Sequence, residues 1–127
     1  MADIVFPNIL SSPPGSYTYT LGDLGLQNAG NNVAGPTDFS TIPTFGDDTL
    51  IILFNSTAGS LNFTAESNPD SKFGRSASTA QTVFAIGAGL YRIMGPLKAD
   101  GWANRTTGIM RMQASAAGIR ACVIRMI

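Results

Sequence analysis

Few side chains in this 127-residue chain are equipped for chemistry, and their spacing narrows what they can do. There is no histidine, so Ser–His–Asp triads, Cys–His pairs and imidazole metal sites are absent. The single Cys122 permits no internal disulfide and no thiolate zinc cluster. It lies in the strand-like run Ile119-Arg-Ala-Cys-Val-Ile-Arg-Met126, where a small buried thiol is ordinary. Carboxylates remain. Asp47 with Asp48, or Asp38 with Glu66, are the available pairs, and a glycosidase needs two carboxyls facing one cleft. Neighbouring residues on an extended segment point to opposite faces, so Gly46-Asp-Asp reads as a turn before the run at Thr49. Glu66, Asn68 and Asp70 alternate like the first oxygen ligands of a calcium loop. Ser71 then stands where the sharp-turn glycine belongs, and Ala77 where the bidentate glutamate belongs. A turn at Asn68-Pro69 fits better. No Gly-x-x-x-x-Gly-Lys-Ser/Thr phosphate loop occurs, and no βαβ pattern follows Gly22 and Gly25. The expectation is a protein with no catalytic residues, no cofactor and no metal.

Binding is better served. Up to Asp70 the charged residues are seven acids and no base, and from Ser71 onward they are eight bases and one acid, Asp100. The net charge of zero is therefore a cancellation between two halves. Complementary patches set register and speed encounter, and a head-to-tail meeting of opposite patches can close a ring. Either the halves pair within one subunit or they meet between subunits. Arg111, Arg120 and Arg125 belong to the basic half, but Met residues flank Arg111 and no aromatics interleave. This is not the pattern of a nucleic-acid surface. Trp102, in the polar stretch Lys98-Ala-Asp-Gly-Trp-Ala-Asn-Arg105, could stack on a sugar, anchor an interface or fold back over the core.

The elements that must position these residues read as β. Strand-like runs rich in β-branched and aromatic residues alternate with Gly, Pro, Asn and Asp clusters. They are Tyr17–Leu21, Phe39–Ile42, Thr49–Phe54, Ser60–Ala65, Thr82–Ile86, Leu90–Met94, Thr107–Ser115 and Ile119–Met126. Thr49–Phe54 is apolar throughout, which implies burial on both faces. Ile119–Met126 also carries apolar residues on both parities, as a central strand or a subunit contact would. Asn55–Gly59, Gly87–Gly89 and Ala116–Gly118 read as three hairpin turns. The fold class expected is all-β: an antiparallel sandwich or jelly-roll-like barrel with an extended N-terminal arm. Residues 1–16 form that arm and 17–127 a single β-domain. Pro7, Pro13 and Pro14 argue against a central strand in the arm, yet Ile4, Val5, Phe6, Ile9 and Leu10 need cover. The arm's own subunit or a neighbour could supply it. Residues 22–36 make a long Gly/Asn-rich loop, of a length usually functional or mobile.

Charged residues are 13% of the chain, about half the usual fraction, and suit a protein packed against neighbours. No apolar run reaches the roughly 20 residues of a membrane span. The N-terminus lacks the basic flank of a signal peptide, so synthesis in a cytoplasm is the expectation. The sequons at Asn55, Asn62 and Asn104 then read as turn and strand chemistry.

The order of elements from Pro36 to Met126 resembles small virion proteins of tailed phages, notably head decoration or cement proteins. The carrying stretches are Gly46–Ala65, Thr82–Pro96 with its Gly95-Pro96 ending, and the closing pair of runs. What is shared is short apolar strands, small-residue turns and few charges. The resemblance implies a symmetric oligomer, a trimer by preference, on the capsid surface and clamping adjacent copies of the major capsid protein. The candidate interface is Ile4, Val5, Phe6, Ile9, Leu10, Trp102, Arg111, Arg120 and Arg125, with no nucleic acid or membrane as partner. A tail, neck or fibre attachment protein and a β-sandwich glycan-binding module are the alternatives.

Overall fold

The computed structural model describes residues 3–12, 18–43, 48–67, 80–97 and 109–126. The described residues form nine strands: β1 (Asp3–Val5), β2 (Ile9–Ser12), β3 (Phe39–Ile42), β4 (Thr49–Asn55), β5 (Leu61–Ser67), β6 (Ala80–Ile86), β7 (Tyr91–Leu97), β8 (Met110–Ala114) and β9 (Ile119–Met126). They form two sheets, ordered β1-β3-β8-β5-β6 and β2-β9-β4-β7, packed face to face. The all-β sandwich expected from the sequence is the fold, and the sheets do not close into a barrel.

The pairing has a simple logic. Strand β5 pairs with β6, β4 with β7, β3 with β8 and β2 with β9, as in one long ribbon folded at the β5–β6 connection. Rolling that ribbon brings β4 against β9 and β5 against β8, which completes both sheets. This is the wrapping of a jelly roll. Strand β2 departs from it by running parallel to β9, and β1 adds parallel to β3, so each sheet is mixed.

The core lies between the sheets. Ile51 and Leu53 of β4 and Ile119, Ala121 and Val123 of β9 face Phe63 and Ala65 of β5 and Met110, Met112 and Ala114 of β8. Phe6, between β1 and β2, is 1% exposed and belongs to this core. The N-terminal segment expected as an extended arm thus contributes a strand to each sheet of its own subunit and an anchor between them.

The three expected hairpins are corrected. Strands β4 and β5, β6 and β7, and β8 and β9 lie in opposite sheets, so each turn is a corner that crosses the sandwich. Asn55, fully buried, ties the corners together. Its side-chain Nδ2 donates to the carbonyls of Gly59 and Ile86, each at 2.8 Å, and its Oδ1 accepts from Thr57. Ser56 donates through its backbone N–H and its hydroxyl to the Gly118 carbonyl. A buried carbonyl left unpaired costs about 1–3 kcal/mol, so one amide serving two of them holds the corners in register.

The expected strand at Tyr17–Leu21 is also corrected. Thr18 to Thr20 form no strand, and Leu21–Leu24 is a one-turn helix, α1. Thr20 and Asp23 make a reciprocal capping box, with the Thr20 hydroxyl accepting from the Asp23 N–H and the Asp23 carboxylate from the Thr20 N–H. The loop 22–36 continues through a 3₁₀ turn at Ala29–Asn31, and buries Leu26 and Val33.

Candidate interaction surface

The outward faces of the two sheets differ in chemistry. On the five-stranded sheet the outward residues of β8 are Arg111 and Gln113. The Arg111 guanidinium reaches Asp3 on β1 and Glu66 on β5, each at 3.2 Å, and lies 3.9 Å over the Phe39 ring of β3. One side chain therefore joins four strands. Gln113 donates to the Asp38 carbonyl at 3.0 Å. At Arg111 the acidic and basic halves of the sequence pair within one subunit.

On the four-stranded sheet most outward residues are apolar: Leu50, Ile52 and Phe54 of β4, and Cys122 and Ile124 of β9, with Arg120 at the end beside Phe54. This second apolar layer explains why β4 and β9 read as apolar on both parities. The chain covers part of it with its own 19–26 segment, where Leu26 is 1% exposed and Tyr19 and Leu24 pack beside it. Asn8 holds the cover in place, its Nδ2 donating to the Leu24 carbonyl at 2.7 Å and to the Ala121 carbonyl at 2.9 Å. The chain leaves α1 through Gly25, at φ 67°, where a Cβ would come within 2.6 Å of the Asn31 amide. Burial pushes the Cys122 thiol up to about 11, so it stays protonated and unreactive at neutral pH.

Toward β7 the cover stops. Tyr91 stacks on Phe54 with ring centroids 4.5 Å apart, and Ile93 pairs with Ile52 across the ladder. Tyr91 is 51% exposed, Ile93 66%, and Leu90, just before the strand, 59%. Strand β7 is the last of its sheet, so this apolar ridge runs along a sheet edge. Arg92 turns the other way and lies 4.1 Å over the Phe84 ring of β6, which aligns the β6 and β7 edges on one side of the sandwich. At the opposite side, Ile4 and Val5 of β1 are exposed beside a cleft of about 390 Å³.

The structure divides the residues singled out from the sequence. Ile4 and Val5 are on the surface, whereas Phe6 is in the core. Ile9 packs on the inner core and Leu10 on the outer apolar layer, both half-buried. Arg111 is engaged as described. Arg120 donates from Nε to the Asn32 carboxamide at 3.3 Å, and Arg125 from Nη2 to the Ser11 hydroxyl at 3.3 Å. Trp102, Asp47, Asn68, Asp70 and Asn104 lie outside the described residues. Of Asp38 and Glu66, weighed as a carboxylate pair, the Glu66 carboxylate pairs with Arg111, and Asp38 accepts from Gln113 through its backbone carbonyl. Among the described residues no three of His, Cys, Asp and Glu gather as a metal site would require.

Sequence reasoning missed the ridge at Leu90, Tyr91 and Ile93. The signal was present: Tyr91 and Ile93 are apolar on one parity while Met94 is apolar on the other, as in the final strand. No family model, no curated protein and no solved structure matches the chain.

Proposed function

We propose that this chain is a virion structural protein of the tailed-phage decoration type, which binds the assembled capsid surface, clamps adjacent copies of the major capsid protein and catalyses nothing. The observation that carries this reading is the ridge of Leu90, Tyr91 and Ile93 at the edge of the four-stranded sheet, continuous with the apolar layer beneath Phe54 and Ile52. Contiguous exposed apolar surface on a soluble protein marks an interaction site. A bare sheet edge invites pairing unless charge, proline or another element blunts it. Pro96 blunts only the far end of β7, beyond the ridge. Low overall charge offers little repulsion against close packing with neighbours. The jelly-roll wrapping recurs in capsid and lectin domains, a likeness of architecture that raises the reading without carrying it.

Such a protein acts by linkage. Bound only to the assembled lattice, it stabilises that state by about 2.7 kcal/mol per site at a hundredfold excess over Kd. Repeated over a shell, that modest term opposes the pressure of the packaged genome. Particles lacking the protein are expected to release DNA at a lower temperature than complete particles. Equal release temperatures would overturn the reading.

A further inference from the structure

We propose that the ridge on β7 docks into the cleft beside β1 of a second copy of this chain, a head-to-tail contact between unlike surfaces. The inference rests on the decoration reading above, in which copies assemble side by side on a shell, and it gives the ridge to the contact between copies. The cleft is lined on its apolar side by Ile4, Val5, Pro7, Val33, Ala34 and Ala117, and its volume of about 390 Å³ gives a protruding side chain room to enter. The ridge supplies such side chains in Tyr91 and Ile93, both more than half exposed.

Charge agrees with shape. Asp38 is part of the cleft wall, while Arg92 is exposed on the flank of the strand that carries the ridge. An acid thus borders the receptacle and a base the flank of the insert, a complement that favours this pairing. Position agrees as well. Strand β1 ends one sheet, and β7 ends the other on the side of β6, so the two surfaces lie on opposite flanks of the sandwich. A patch and a pocket on opposite flanks cannot satisfy each other within one molecule. Between molecules they form a heterologous contact, which closes into a ring when the rotation per copy permits.

The test uses two variants of the full chain, Val5→Lys to block the cleft and Ile93→Lys to block the ridge. Both side chains are mostly exposed, at 64% and 66%, so neither change disturbs the core. Circular dichroism checks the fold, and Ile4→Lys with Leu90→Lys serves as a second pair. In sedimentation velocity the wild type is expected to be oligomeric and each variant monomeric. An equimolar mixture of the two is expected to form a heterodimer that grows no further, because one intact ridge meets one intact cleft. A monomeric wild type, a Val5→Lys chain that associates like the wild type, or a mixture that stays monomeric each overturns the proposal. No shells are present in this experiment. A wild type that associates this way but ignores capsids refutes only the decoration reading, and a monomer that binds capsids refutes only the contact.

Discussion

The two outward faces of this sandwich solve the same problem differently. The five-stranded sheet has one core beneath it, and its outward face mixes the polar Arg111, Gln113, Thr64 and Asn62 with an isolated apolar Val83, 55% exposed. The four-stranded sheet is apolar on both sides and needs a second cover. Its own 19–26 segment covers the β9 half, and the β7 half is left with Tyr91 and Ile93 in the open. The difference teaches where to look for a partner. Burying apolar surface is favourable at roughly 25 cal/mol per Å², and a face built for a cover that stops halfway has that term still to gain. The polar face has already matched its charges within the subunit, through Asp3, Arg111 and Glu66.

The largest expected effect comes from the covered half of the apolar face. Leu26→Ala empties a side chain that is 1% exposed in the outer layer, and is expected to cost about 2–5 kcal/mol in chemical denaturation. A cost below about 1 kcal/mol would mean that the 19–26 segment rests on the sheet without forming a second core.

The next effect concerns Cys122 in the same layer. Its folded thiol titrates near 11 against 9.0 when free, because burial disfavours the thiolate. The unfolded chain therefore loses its proton first. The contribution to stability is whole below pH 9 and is lost as pH rises toward 11. A Cys122→Ala chain is expected to lack that alkaline decline, and the native thiol to resist alkylation at pH 8. Rapid labelling of the native protein would show that the cover opens readily.

The smallest effect belongs to the polar face. Arg111→Met is expected to cost about 1–2 kcal/mol, since the exposed pair with Asp3 contributes little and the pair with the more buried Glu66 contributes the rest. The difference from wild type should shrink in high salt, where the pairs are screened. A loss as large as that of Leu26→Ala would erase the contrast between the two faces.

Much of this architecture was legible because its signals are local. The runs at Thr49–Phe54, Ser60–Ala65, Leu90–Met94 and Ile119–Met126 are strands, and in Ser60–Ala65 alternation marked Leu61, Phe63 and Ala65 as the inward residues. The corners were not legible. A turn of Ser, Gly and Ala looks the same whether it joins partners in one sheet or crosses between two. What decides is the Asn55 amide meeting the Ile86 carbonyl 31 residues away. Helix α1 was missed for a different reason. The Thr20–Asp23 capping box is visible in the sequence, but the β-branched and aromatic residues before it pulled the reading toward a strand. Phe6 misled because the prolines around it suggested a segment outside the core, whereas one side chain anchors that segment between the sheets. Of the candidate site, Ile4 and Val5 were found and the ridge they are proposed to meet was not. Exposure at a sheet edge depends on strand order, which no single run encodes.

The most direct test of the account is co-sedimentation of the purified chain with expanded empty shells of the phage it is proposed to decorate, wild type beside Ile93→Lys. The account predicts saturable pelleting of the wild type and much weaker pelleting of the variant, which loses the added avidity of linked copies. Wild type left in the supernatant, or a variant that pellets equally well, would contradict it.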